Sequence, residues 1–326
     1  MRGGAVESSH EGSIAVFDGD GRQVLAVGDI ARPVFPRSAV KVIQALPLVE
    51  SGAADAFGFG DKELALACAS HNGEVAHADL AEAMLRRAGL DGSALECGAH
   101  WPSYQDATIA LARSGQNPSA LQNNCSGKHA GFVCACRHMG VDHKGYVKIG
   151  HDYQRLIADT MTDVTGARHD AGNAGIDGCS IPTYAVPLSN LAHGFAKLAT
   201  GQGLGHARAQ AARRLFAACM AEPFYVAGTG RADTRIMEAA KGRVFVKVGA
   251  EGVYCGAVPE LGVGFALKID DGAGRAAEVA VVGLLARLVK DDAHLSAAFA
   301  TMSNVTMTNW NGINVGKVQA TAPLHA

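Results

Sequence analysis

The sequence contains no basic run of five residues or more, and its charges nearly cancel: 29 Lys and Arg against 31 Asp and Glu leave a net charge of −2. A chain that grips nucleic acid or an anionic membrane surface needs a concentrated positive field, so neither partner is expected. No stretch approaches the roughly 18 consecutive apolar residues that a membrane-crossing helix requires. The opening Met1-Arg2-Gly3-Gly4-Ala5 leads into a charged segment without the apolar core of a secretory signal. There is no internal repeat and no low-complexity tract, and the 40 glycines are dispersed among turns instead of forming a linker.

What is present is a chain of 326 residues, 48% hydrophobic and 18% charged. That composition supports a well-buried core, with room for about two domains. Eight cysteines occur: Cys68, Cys97, Cys125, Cys134, Cys136, Cys179, Cys219 and Cys255. In a chain this long without an export signal they are expected to be reduced thiols, some of them available to a metal, and the protein is expected in the cytoplasm.

Patterning divides the chain. Ser13–Phe17 and Gln23–Val27 flank Asp18-Gly19-Asp20-Gly21 and predict a β-hairpin. From Ser38 to Glu50, apolar residues recur at helical spacing. Helix-forming segments follow at 62–69, 76–88, 104–114, 129–138, 153–165, 188–200 and 206–221. Strand patterns return at 243–248, 252–258 and 262–269, before an apolar helix over 275–289. The order predicts an α+β fold in which one antiparallel sheet is built from both termini. Residues 1–35 and 230–295 form its sheet lobe, 36–229 a helical lobe, and 296–326 a C-terminal tail without interpretable periodicity. A cleft between lobes is a usual place for a ligand.

Three short motifs carry the chemistry. Ser38-Ala39-Val40-Lys41 is an S-x-x-K whose spacing puts hydroxyl and amine on one helical face. A lysine there can accept the serine proton if burial or a nearby cation lowers its pKa; the plain reading is a solvated first-turn pair. Ser70-His71-Asn72 is an S-x-N at a helix-to-loop junction, and Lys247-Val248-Gly249 is a K-x-G on a late strand. Lys148-Ile149-Gly150 repeats the last pattern and reads as an exposed loop. In this order and on these elements, the three match the arrangement of the serine β-lactamase and penicillin-binding superfamily. Ser38, Lys41, Ser70 and Lys247 would converge, and two adjacent lysines repel, so one should be neutral near pH 7.

Two polar clusters remain. Asn123–Gly131 lacks the glycine spacing and the preceding strand of a phosphate loop, and suits a metal or substrate loop better. Asp177-Gly178-Cys179-Ser180 is the second. Cys125 and Cys179 are thiolate candidates, and ordinary zinc chemistry would add His129 or Asp177; the alternative is two small buried thiols. His71, His77 and His100 read as structural histidines. Arg37, just before Ser38, could clamp a carboxylate or cap a turn.

The runs Pro36–Lys41, Ser70–Glu74, Asn123–His129, Asp177–Cys179 and Lys247–Gly252 resemble the Rhizobium-type L-asparaginases, the asparaginase II family. The resemblance spans about residues 10–290. It implies a serine β-lactamase-like fold, hydrolysis of L-asparagine to L-aspartate and ammonia, and a homodimer. It implies two Ser-Lys tandems, Ser38–Lys41 and Ser70–Lys247, with Lys268 on the next strand as the other lysine available. It implies a zinc site on Cys125, Lys128 and Cys179. It places Asp177 and His129 beside that site, and Arg37, Asn72, His129 and Asp177 as substrate-binding residues. A lysine ligand is unusual, because the amine must be neutral to coordinate. Val248 stands where β-lactamases usually carry a hydroxyl, which speaks against lactam chemistry more than against amidase chemistry. The rival expectations are a β-lactamase or D-Ala peptidase-like hydrolase and a non-catalytic zinc or amino-acid binder.

Overall fold

The computed structural model describes residues 1–324. Strands Gly12–Asp18 and Gln23–Val27 form the expected hairpin. Its turn closes on the Asp18 carboxylate, which accepts the amides of Asp20 and Arg22 at 3.1 and 2.9 Å, with Gly21 at φ 82°. The first strand then pairs with the last long strand of the chain, Ile14 opposite Leu267. The resulting five-stranded sheet is antiparallel throughout. Its order is 23–27, 12–18, 263–269, 253–258, 245–249. Both ends of the chain therefore build one sheet, as the patterning predicts.

Helix Leu188–Thr200 packs on that sheet although sequence order puts it in the helical lobe. Gly264 permits the approach: a Cβ there would lie 2.1 Å from the Ala196 nitrogen and 2.4 Å from the Ala192 oxygen. Phe245 joins the layers further on, its ring stacked on Phe216 at 4.5 Å. Helix Gly274–Leu288 also packs against strands 253–258 and 263–269.

The helical region holds Asp61–Ala67, Val75–Arg87, Gln105–Arg113, Ser126–Met139, Asp152–Thr165 and His206–Ala221, each within a few residues of its sequence signal. Ser126–Met139 is the central one, buried from Ser126 through Cys136. Gly127 lets its first turn lie against helix Asp61–Ala67, since a Cβ would meet the Leu66 oxygen at 2.3 Å.

Three features differ from expectation. The pattern from Ser38 to Glu50 is a 3-10 turn Arg37–Val40 followed by two short helices, Lys41–Gln44 and Leu46–Glu50. Pro47, which has no amide to donate, prevents a continuous helix. Helices Pro223–Ala227 and Ala232–Ala240 were not anticipated. Residues 296–324 of the tail carry regular structure: helix Ala293–Met302 leads to a hairpin of Asn304–Thr308 and Asn314–Gln319. Its polar, short strands carry no core-facing alternation, which is why they do not announce themselves.

Candidate active site

Lys41, Lys128 and Lys247 are each at most 1% exposed. An unpaired buried ammonium costs on the order of several kcal/mol, so each must find partners or shed its proton. The three are brought together by the chain segments that carry the sequence motifs.

Ser38 lies, half-buried, in the 3-10 turn Arg37–Val40. Arg37 has φ 52°, a left-handed conformation that costs a non-glycine residue about 1–3 kcal/mol and is found where surroundings enforce it. The strand Phe245–Gly249 touches this turn at Gly249, where a Cβ would sit 2.2 Å from the Pro36 oxygen and 3.0 Å from the Ala39 nitrogen.

Lys41 Nζ donates to the Ala69 oxygen at 2.5 Å and contacts Cys125 Sγ at 3.0 Å. The S-x-x-K amine is thus anchored at the residue preceding Ser70. Among the described residues neither serine hydroxyl hydrogen-bonds a lysine; Lys41 has its carbonyl and sulfur partners instead. Catalytic hydrogen bonds often tighten only once substrate is bound.

Lys247 Nζ donates to the Val248 oxygen at 3.1 Å and stands 3.7 Å from Asp233 Oδ1. Burial drives its proton off, the Asp233 carboxylate opposes this, and the cations Lys41 and Arg231 add to the loss, leaving the amine lowered to about 8. Lys268, the alternative lysine, donates to the Ile269 oxygen beside Arg32 and Asp270.

The turn after strand Ala174–Ile176 closes through Asp177 N–H to the Ile181 oxygen at 2.9 Å and presents Cys179 to helix Ser126–Met139. Lys128 Nζ contacts Cys179 Sγ at 3.0 Å. The neighbouring Cys179 thiol, helped by Lys41 and Lys128 against the effect of burial, holds Cys125 well below the usual thiol range, and the same pairing together with burial pushes Cys179 up. Asp177 accepts Arg37 Nε at 2.6 Å. Burial would raise its carboxyl, but Lys128 and Arg37 outweigh it and keep the group below its ordinary value.

Two sulfurs and one amine are a donor set of the right softness for a tetrahedral zinc with one open position. Among the described residues no three His, Cys, Asp or Glu side chains gather to hold a metal. A metal here therefore needs Lys128 as third ligand. Its amine must then give up a proton that Cys179, Cys125 and Asp177 hold on it against burial.

The remaining candidates serve as supports. His129 Nδ1 lies 2.6 Å from the Tyr146 hydroxyl, which accepts the Glu96 amide at 2.9 Å. Asn72 Nδ2 donates to the Thr229 oxygen at 3.0 Å, and its Oδ1 accepts Ser103 and Arg231, both at 3.2 Å. Asn72 thus ties the Ser70 loop to residues 229–231. His71 is fully buried: Nδ1 accepts the Gly73 amide and Nε2 meets Ser126 Oγ, both at 3.0 Å. Burial, then His77 and Lys41, keep its ring neutral. Sequence reasoning missed Asp233, Arg231 and Tyr254, which belong to no motif; Asp233 resembles an ordinary first-turn acid of its helix.

A cavity of about 630 Å³ lies elsewhere, between the N-terminal segment, helix Gly274–Leu288 and the C-terminal strands. It lacks the buried amines and thiols, and the cluster is the stronger candidate on chemistry.

Over residues 1–320 the chain matches the family described as L-asparaginase II. It matches no curated protein sequence. Among solved structures it is similar to Mglu at 16% identity and TM-score 0.46, covering 87% of this chain and 67% of that one. The glutamate form of Mglu gives 16% identity and TM-score 0.45, over 87% and 61%. A putative beta-lactamase from Bacteroides dorei DSM 17855 gives 13% and 0.36, over 79% and 84%.

Proposed function

As the chain belongs to the L-asparaginase II family, we propose that it hydrolyses L-asparagine to L-aspartate and ammonia on a serine β-lactamase-like framework. The observation that carries the reading is the buried amine pair. Lys41 reaches the backbone beside Ser70, Lys247 feels its charge, and burial has brought Lys247 to about 8. Adjacent ammonium groups destabilise each other, so a proton acceptor is available near neutral pH.

Ser38 Oγ attacks the side-chain amide carbon and its proton passes to Lys41. That proton is relayed from Lys41 through Ser70 and neutral Lys247, which accepts it and passes it to the departing nitrogen, and the nitrogen leaves as ammonia. The β-aspartyl ester on Ser38 is then cleaved by water, and Ser38 regains its proton. Backbone N–H groups near Ser38 hold the oxyanion, each worth about 3 kcal/mol. Arg37 suits the substrate α-carboxylate and Asp177 its α-amino group; their 2.6 Å contact keeps both preformed. Asn72 and His129 shape the walls. Cys125, Lys128 and Cys179 would hold zinc, which when bound supplies a fixed positive charge for substrate orientation. The working unit is taken to be a homodimer, as the resemblance implies.

The test is ammonia release from L-asparagine, L-glutamine and D-asparagine, with and without chelator, beside nitrocefin turnover. The reading expects release from L-asparagine and no lactam cleavage. Lactam turnover would favour the β-lactamase-like alternative. Stoichiometric asparagine binding without ammonia would favour the non-catalytic binder.

A further inference from the structure

Helix Ala232–Ala240 starts between two of the motifs. Arg231, just before it, donates to Asn72 of the S-x-N loop. Asp233, in its first turn, is 0% exposed. A first-turn aspartate ordinarily faces water or its own helix amides. This one turns into the sheet. Its Oδ1 accepts the Val248 amide at 2.7 Å and stands 3.7 Å from Lys247 Nζ, and its Oδ2 accepts the Tyr254 hydroxyl at 3.1 Å. Val248 and Tyr254 are register partners on adjacent strands. All three contacts therefore fall on the strand bearing Lys247 or on the residue paired with it. The helix gains nothing from burying a carboxylate there; the lysine does.

We propose that Asp233 is a positioning residue for Lys247, fixing the amine beside Lys41 and setting how readily it holds a proton. This rests on the amidohydrolase reading only for its kinetic consequence. The charged and titratable groups facing Lys247 are Asp233 and Arg231 at this helix start, Lys41 on helix Lys41–Gln44, Cys125 before helix Ser126–Met139, and Cys219 on helix His206–Ala221. Asp233 is the only carboxylate among them. Without its charge, burial and the two cations act with little opposition, and the amine loses its proton at lower pH.

The experiment is side-chain NMR of the full chain with ε-13C-lysine, the Lys247 signal being identified by its loss in Lys247→Met. Asp233→Asn should lower the Lys247 midpoint by about one pH unit. Asp233→Ser retains an acceptor for the Val248 amide, should give the same shift, and stands in if the asparagine variant does not fold. The acid limb of kcat/KM for asparagine should move by the same amount. An unmoved midpoint in a folded variant, whatever its activity, overturns the proposal, because a merely structural role would reduce activity without moving it. If the wild-type chain releases no ammonia, the amidohydrolase reading falls, and the NMR titration still decides the role of Asp233.

Discussion

Ser38 is exposed enough to meet substrate, and its hydroxyl has no hydrogen-bond partner among the described residues. Ser38→Ala should therefore lower kcat at least about a thousandfold while leaving the melting temperature nearly unchanged. Ammonia assays and thermal melts check both halves. Lys247 supplies a pH prediction. Its amine sits well below the usual lysine range, at about 8, chiefly because it is buried. The neutral form is the acceptor, so kcat/KM should rise as pH climbs through about 8 and fall as the amine is protonated below it. His71, kept neutral by burial, should add no limb between pH 5 and 7. A third residue-scale expectation concerns metal: the purified protein should carry about one zinc per chain, and Cys125→Ser should lose most of it, as read by elemental analysis. The motif residues were legible because they combine reactive side chains at fixed spacing. Asp233 was not, because its meaning lies in a contact with a strand more than ten residues away that no local pattern reports.

At the scale of elements, Gly249 matters more than its position at a strand end suggests. Gly249→Ala would drive a methyl group into the Pro36 carbonyl. It should displace the Ser38 turn and lower kcat about a hundredfold, with a stability loss of about 1–3 kcal/mol. Kinetics with denaturant titration separate the two effects. Helices Leu188–Thr200 and His206–Ala221 coincide with their sequence signals, each having a helical apolar face and a glycine close to one end. The helix expected from Ser38 failed because periodicity was read through Pro47, whose missing amide breaks the run. The C-terminal hairpin did carry a signal, the Asn311-Gly312 pair in its turn, with Gly312 at φ 75°. Its strands, being polar and mostly exposed, gave that signal nothing to combine with.

For the whole molecule, the sheet drawn from both termini was legible from the placement of strands at the two ends, since short strands need partners. How the helical segment distributes between layers was not, because glycine contacts such as Gly264 against helix Leu188–Thr200 are tertiary. The C-terminal hairpin packs on helix Gly274–Leu288 and bonds Met1 through Lys317, none of which belongs to the amine and thiol cluster. Deleting the chain from Asn304 should leave kcat unchanged and lower Tm by roughly 2–4 °C per kcal/mol of docking lost. The central claim is that distant segments assemble a serine nucleophile for an amide. Its most direct test is to quench the enzyme with acid during turnover of L-asparagine and map covalent adducts by peptide mass spectrometry. A β-aspartyl ester on the peptide containing Ser38, absent in Ser38→Ala, is predicted; an adduct on a threonine or cysteine, or full turnover in the alanine variant, would contradict it.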